Sequence, residues 1–493
     1  MTMQRTATIG DRTGTNTYNV SIIEPEAELH SLIHSLPPEI LSEIFLLALP
    51  SSYSVLEPLH AGPWLLGRVC RRWQDVAWGY PALWSSFVLI DQEAPHRIQE
   101  EIGTRMVQEA LQRTRQSKLS MTIWTGHIFS DTIVETLLQH SRQWEDVSFL
   151  GPSSSQWTQS LLNSHPIHFP SLRSLSLAYP HSIDDIATTM GVIKDAPNLR
   201  CLQLDVRVPN FDLSTVLFPW SCITHLDMTF SKFNWVGLIV RLLRLCPSLE
   251  ELKEKSMLRS ETTTIAPLTL EKLRSLSLGF SHLLLRHLTC PVLEYLTFTM
   301  PYINYPSSSL TISQFSARSG SHLQTLDLRL ARKALDPDQL FSCVPQLRRL
   351  ILSMADTEND RDPSRFLRCL DSGDMARGLM LPNMSVFELS ANRLFMGDIR
   401  LERRDELLVR IIDRRWDVPE DSRVTQLSQV RIRCRNPAHV EAKFKGGQAA
   451  PKLGALRALS HIDRLKSCKA EGSDISVIAD EEMDGLLEER VLL

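Results

Sequence analysis

The chain has 493 residues, of which 43% are hydrophobic and 22% charged, and its formal net charge is −4. That profile is of a globular protein long enough to bury a large core. The near-balanced charge argues against nucleic acid or an anionic membrane as the main partner, and no apolar run approaches the roughly 18–20 residues of a membrane-spanning helix.

Residues 1–31 are polar and Thr-rich, lack the apolar core of a signal peptide, and read as a disordered tail. The nine cysteines are scattered singly with no C-x-x-C pair, so a metal cage or a redox motif has no support. Such a set fits a reducing compartment, the cytoplasm and/or the nucleus.

The stretch LPPEILSEIFLLAL, from Leu36 to Leu49, predicts the first helix. Ser35 is the expected N-cap, Pro37 and Pro38 suit the first turn, and Pro50 ends the run. Ile40, Leu41, Ile44, Phe45 and Ala48 recur at helical spacing and make one wide apolar face. PWLLGRVCRRWQDVAWG predicts a second helix, with Leu66, Val69, Cys70, Trp73, Val76 and Ala77 on one side and Gly79 as C-cap. YPALWSSFVLI then reads as a turn and a strand. Two or three short helices in roughly 50 residues cannot bury all these side chains among themselves. The surplus must meet the rest of the chain, as a helical cap on a larger core, or another protein.

The pattern L-P-P-E-I-L-x-x-I-F, then V-C-R-R-W-x-D-V-A, then P-A-L-W-S-S-F, resembles an F-box, most closely that of the large fungal class in which a leucine-rich region follows. The likeness covers residues 34–90; the stretch from Leu46 to Leu65 is longer than the link in the compact form of the motif. The resemblance implies a domain over 32–90 that docks on the Skp-type adaptor of a cullin–RING ubiquitin ligase. Matched position by position, the adaptor contacts would be Leu36, Pro37, Ile40, Leu41, Ile44 and Phe45, then Val69, Cys70 and Trp73.

Beyond residue 140 one phrase recurs, an apolar-x-x-apolar-x-apolar core as in FPSLRSLSL, CPVLEYLTF and VPQLRRLIL. Its first apolar positions are Leu172, Leu199, Ile223, Leu249, Leu273, Leu293, Leu323, Leu347 and Met384, spaced mostly within the 20–29 residues of leucine-rich repeats. A proline stands two residues earlier in six of the nine, where it stops an incoming helix and favours extended backbone. Helical stretches such as NWVGLIVRLLRL lie between the phrases. CPSLEELKE carries Glu254 where an inward apolar residue belongs, so its strand is expected to be short or shifted. WSSFVLI, SKLSMTIW and WEDVSFL extend the array at one end; RDELLVRIIDRRW, LSQVRIRC and SDISVIA extend it at the other.

The expected fold is α/β: a small helical F-box, then an irregular leucine-rich-repeat solenoid over 91–480, with a parallel sheet on its concave face and helices on its convex face. Residues 481–493 read as a short acidic tail.

No phosphate loop, G-x-S-x-G or H-E-x-x-H is present, so no catalytic, metal or cofactor site is expected. Between the inward leucines, Ser176, Gln203, Asp227, Lys253, Ser277, Thr297, Asp327, Ile351, Glu388 and Arg431 should share the concave face. Arg431, Arg433 and Arg435 alternate with Val430, Ile432 and Cys434, and Arg349 should project from the same side. These four arginines suit an acidic or phosphorylated target, or a solvated edge neutralised by nearby carboxylates. The reading is a substrate-recognition subunit of an SCF-type ligase, an adaptor and not an enzyme; the alternative is a protein-interaction scaffold with no degradation target.

Overall fold

The structure is a computed structural model. It describes residues 33–491 except 34, 51, 57–61, 90–99, 125–130, 152–166, 179–182, 207–211, 231–233, 257, 260–264, 280–281, 300–307, 321, 331–335, 355–363, 372–378, 393–398, 417, 419–423, 436–464, 466–473 and 484–485. The expected tail at 1–31 lies outside the described residues.

The first helix, α1, spans Pro38–Ala48. Its N-cap is Pro37, with no side-chain cap, in place of the expected Ser35. Proline suits this position because its fixed φ fits the entry to a helix and no N–H is left orphaned. The second predicted helix is broken in two: α2 spans Pro63–Leu66 and α3 spans Arg71–Gly79. Cys70 caps α3, its Sγ accepting the Trp73 N–H at 3.5 Å. The turn between them holds Gly67, where a Cβ would stand 3.0 Å from Trp78 Nε1. The break therefore lets the Trp78 ring close on the backbone. Gly79 is the last helical residue and Tyr80 the C-cap, one position beyond the expectation.

Among the described residues, one sheet of fifteen strands runs through the rest. In chain order its members are β1 Ser86–Leu89, β2 Leu119–Trp124, β3 Trp144–Leu150, β4 Ser174–Ala178, β5 Cys201–Val206, β6 His225–Phe230, β8 Glu251–Glu254, β11 Ser275–Leu278, β13 Tyr295–Thr299, β14 Thr325–Leu330, β15 Arg349–Met354, β16 Val386–Asn392, β17 Gln429–Arg435, β18 Asp474–Met483 and β19 Leu486–Val491. Two small sheets pair β7 Asn234–Trp235 with β9 Leu258–Arg259, and β10 Leu268–Thr269 with β12 Leu288–Thr289. Neighbours in the main sheet are parallel except the last pair, β18 and β19. The sheet starts with β1, inside the 32–90 span of the helical module. At the other end, 481–483 and 486–491 are strand, so the expected acidic tail is replaced by a hairpin. Asp484 and Gly485 separate these strands in sequence, a pair favoured in two-residue hairpin loops.

All nine phrases begin a strand, and their first apolar residues are buried. The backbone explains the phrase. In eight of the nine, the N–H of the first apolar residue bonds the carbonyl three residues earlier, as in Leu172 to Phe169 at 3.3 Å and Leu347 to Val344 at 3.1 Å. Proline thus falls at the second position of a β-turn, where its fixed φ is preferred. The next residue donates to the previous repeat: Arg173 N–H to Glu145 O at 2.8 Å, Arg348 N–H to Gln324 O at 2.9 Å. Where asparagine follows the proline, its amide clips neighbouring turns together, Asn198 Nδ2 to Pro170 O at 2.7 Å and Asn383 Nδ2 to Pro345 O at 3.2 Å.

Burial alternates along the strands so that one face points inward, as in β2, β5 and β6. Leu175, Leu202, Leu226, Leu252, Leu276, Leu296, Leu326 and Leu350 form one inward row in register. Connecting helices join the same core: α4 Glu100–Thr114, α5 Asp131–Gln139, α6 Ile183–Val192, α7 Val236–Arg244, α8 Ser308–Ser319, α9 Pro337–Ser342, α10 Ser364–Asp371 and α11 Ile399–Trp416. In α7, Ile239, Leu242 and Leu243 are buried together, as its periodicity predicts, whereas Trp235, expected on the same side, is half-buried and stands at the N-cap before the helix. Full burial of one such side chain is worth about 1.5–3 kcal/mol, so row and helix faces hold the array together.

Glu254 sits in the second inward row between Met228 and Leu278. Its strand is short but not shifted, because the register continues on both sides.

Candidate interaction surfaces

The helical module divides its apolar residues between two destinations. Leu41 and Phe45 are only 1% exposed and belong to the core, Phe45 lying 4.8 Å from the Trp73 ring. That corrects their place among the adaptor contacts: residues committed to packing within the chain offer no surface to a partner. Trp73 and Cys70 are half-buried, Trp73 against Phe45 and Cys70 as the α3 cap. Leu36 is half-buried and its carbonyl accepts a hydrogen bond from Arg72. Pro37 is exposed, and Ile40, Ile44 and Val69 are 49%, 42% and 59% exposed. Leu47, absent from the sequence-derived set, is 87% exposed and continues the Ile40–Ile44 stripe at i+7. That spacing was legible in the sequence.

Of the twelve exposed large apolar residues among the described ones, seven lie between Ile33 and Val69. Elsewhere such residues are scattered, as is normal for a protein surface.

The module is welded to the sheet. Residues of the long stretch after α1 lie along β1: Val88 N–H donates to Tyr53 O at 2.8 Å and Val55 N–H to Val88 O at 3.2 Å. The unusual length of that stretch thus covers an otherwise open sheet edge. The Tyr53 hydroxyl donates to Leu83 O at 3.2 Å, and its ring packs over Gly62, where φ is +87°. From α4, the Arg113 guanidinium lies 4.2 Å from the Trp78 ring centre, 5.2 Å from Trp84 and 5.9 Å from Trp64, and pairs with Glu109. All three distances fall within cation–π range.

The other face of the sheet is open. The row expected from Ser176 to Arg431 is one continuous register line: Ser176, Gln203, Asp227, Lys253, Ser277, Thr297, Asp327, Ile351, Glu388, Arg431. Arg349 and Arg431 converge on Glu388 Oε1, the first in close contact and the second at 4.0 Å. Arg433 is exposed; Arg435 lies on β17, and its side chain is outside the described residues. Farther along, Lys255 pairs with Asp227 at 3.1 Å and Lys253 pairs with Glu251. Burial raises the Asp327 carboxyl above its usual range, opposed by Arg329 beside it.

Glu254 is fully buried. Its Oε1 accepts the Ser256 N–H at 2.7 Å and its Oε2 has no hydrogen-bond partner; burial pushes its pKa up to about 7. Burial lowers His282 to about 4. Neither reaches the open face, so neither offers a reactive group to a ligand. Among the described residues, no group of three or more His, Cys, Asp or Glu side chains is placed to hold a metal ion. No described helix is long and apolar enough to cross a membrane.

No family model matches the chain, and no curated protein matches it. Among solved structures, a chain in the crystal structure of the mouse RP105/MD-1 complex is similar at 15% identity and a TM-score of 0.38, over 73% of this chain and 58% of that one. A likeness this loose settles neither fold family nor function.

Proposed function

We propose that the chain is a substrate-recognition subunit of an SCF-type E3 ubiquitin ligase. In this reading the N-terminal helices are an F-box that docks on a Skp-type adaptor, and through it on a cullin–RING ligase. The sheet is a leucine-rich-repeat arc, its open face concave and its helices convex, that holds a protein target. The chain does no chemistry itself and needs no cofactor; partners supply the catalytic machinery, and transfer is speeded by proximity. It would work in the cytoplasm and/or nucleus. The observation that carries the reading is the concentration of exposed apolar side chains on and beside α1, where Ile40, Ile44 and Leu47 form a stripe. Interface centres favour large apolar anchors.

The test is adaptor capture. Ile44→Glu combined with Val69→Glu should abolish pull-down of the adaptor, since two central anchors are lost at ~2 kcal/mol or more each. Both residues are exposed, so the melting temperature should hold. Undiminished capture would rule out this docking surface. Capture of the adaptor without a cullin would favour a non-ligase scaffold. On the target side, Arg349, Arg431, Arg433 and Arg435 remain the proposed contacts for acidic groups. Arg431→Glu with Arg433→Glu should weaken target capture while adaptor capture stays.

A further inference from the structure

The chain reaches α1 from a segment with a pattern of its own. Between residues 13 and 32 it holds the apolar Tyr18, Val20, Ile22 and Ile23, then Glu24, Glu26 and Glu28. Those glutamates are the only Asp, Glu, Lys or Arg residues in that stretch. Tyr18, Val20 and Ile22 alternate with Asn19 and Ser21, the period of an extended chain with one apolar side. Residues 1–32 lie outside the described residues, and the described chain begins at Ile33, whose carbonyl accepts the Leu36 N–H at 3.4 Å.

The helical module is complementary to this segment at the point where the chain enters. Arg72 holds the Leu36 carbonyl, so the start of α3 lies against the start of α1. Arg68 and Arg71, on either side of the exposed Val69, are themselves exposed and make no ion pair among the described residues. Asp75, one turn beyond Arg71, is the acid of α3, and Glu43 of α1 accepts the Tyr80 hydroxyl at 2.9 Å. Glu39 and Glu43 each precede a stripe residue by one position, so they line one flank of the Ile40–Ile44–Leu47 stripe and repel acids from it. From Ile40 to Leu47 the stripe climbs α1 by about 10 Å.

We propose that residues 18–28 fold back on the helical module of their own chain, with Tyr18, Val20 and Ile22 over the Ile40–Ile44–Leu47 stripe and Glu24, Glu26 and Glu28 at Arg68 and Arg71. The order of the residues fits. Glu28 stands five residues before Ile33, and five extended residues reach about 17 Å, which keeps the glutamates at the start of α1. From there Ile22 back to Tyr18 spans about 13 Å, enough to run up the stripe with Ile22 nearest Ile40 and Tyr18 nearest Leu47. A tether this short holds the segment at an effective concentration on the order of millimolar. The same stripe is the surface of the proposed adaptor docking, so the segment is a built-in competitor, and the adaptor's apparent affinity falls with the fraction of chains left uncovered. The competition rests on the ligase reading; the covering contact does not.

The probe is the full chain with a photoreactive p-benzoylphenylalanine in place of Tyr18, irradiated in dilute solution and mapped by mass spectrometry. Cross-links should join that position to residues 44–48 of the same chain, at a yield that dilution leaves unchanged. Val20→Asp with Ile22→Asp should lower the yield about tenfold, because two apolar anchors are lost. Glu24→Lys with Glu26→Lys should lower it about threefold, as exposed ion pairs contribute little. Adding Arg68→Glu and Arg71→Glu to that variant should restore the yield, which a folding defect would not do. In the chain that keeps Tyr18, Val20→Asp with Ile22→Asp should bind purified adaptor about tenfold more tightly than wild type. Cross-links that miss α1, or that disappear on dilution, overturn the cover. If adaptor affinity is then also the same in wild type and variant, the cover falls and the ligase reading stands. Cross-links on α1 with equal adaptor affinity reject the competition. Cross-links on α1 with no adaptor capture by any form reject the ligase reading and leave the cover in place.

Discussion

The helical module and the sheet use the same kinds of apolar residue and dispose of them differently. In α1, Leu41 and Phe45 face the core while Ile40, Ile44 and Leu47 face solvent. In the sheet, alternate residues go inward and the first inward row is apolar along its length, from Phe87 through the leucines to Ile475. A helix whose apolar positions span more than one face has a surplus that its own module cannot cover. The strands, with period two, leave less, because most of their outward positions are polar, Ile351 and Tyr295 being exceptions. Surplus apolar surface sets the helical module apart, and paired charge sets apart the outward face of the sheet.

The largest effect should separate the two regions by stability. Leu276→Ala removes a member of the inward row and should cost about 2–5 kcal/mol in urea unfolding, whereas Ile44→Ala should stay within about 0.5 kcal/mol. A large loss from Ile44→Ala would break the comparison, because that side chain would then be core.

Glu254 sharpens it by pH. Its pKa is about 7 in the fold, against 4.5 for the ordinary carboxyl, so the folded state holds the proton more tightly. Its contribution is fully present below about 4.5, falls as pH rises to about 7, and is then flat; the loss is on the order of 3 kcal/mol. His282, lowered to about 4 from 6.5, has the opposite slope: stability rises with pH between those values. The measurement is therefore the difference between wild type and Glu254→Gln in urea midpoint from pH 4 to 8. The variant should gain on the wild type as pH rises. A constant difference would mean that Glu254 does not titrate in that window.

The weld between the regions gives the smaller effects. Gly62→Ala places a methyl 2.4 Å from the Tyr53 ring at a φ of +87°, and should destabilise by about 1–3 kcal/mol, read as a lower melting temperature. Arg113→Ala empties the tryptophan cage and should cost about 1 kcal/mol. Hydrogen exchange should then speed up in α1 and α3 and stay unchanged in β5 and β6. Uniform acceleration would show that the two regions open together.

The strands were legible because most phrases couple a turn proline to alternating apolar residues, two signals from different physics. The register row from Ser176 to Arg431 followed from that alternation alone. Other features were hidden for physical reasons. The break between α2 and α3 depends on the Trp78 ring closing on Gly67, a contact eleven residues apart. The path of the stretch after α1 depends on the open edge of β1, which exists only once the sheet has formed. The division of α1 between core and solvent could not be read from periodicity, since Ile40, Leu41, Ile44 and Phe45 are equally apolar.

The sequence by itself determined the local events: where prolines turn the chain, and which strand residues point inward. These depend on near neighbours and on the two periods of regular structure. Only the tertiary structure decided which apolar residues were spare, which arginines share one carboxylate, and how completely Glu254 is buried. Burial and charge pairing are properties of residues brought together from distant parts of the chain, and no local pattern carries them.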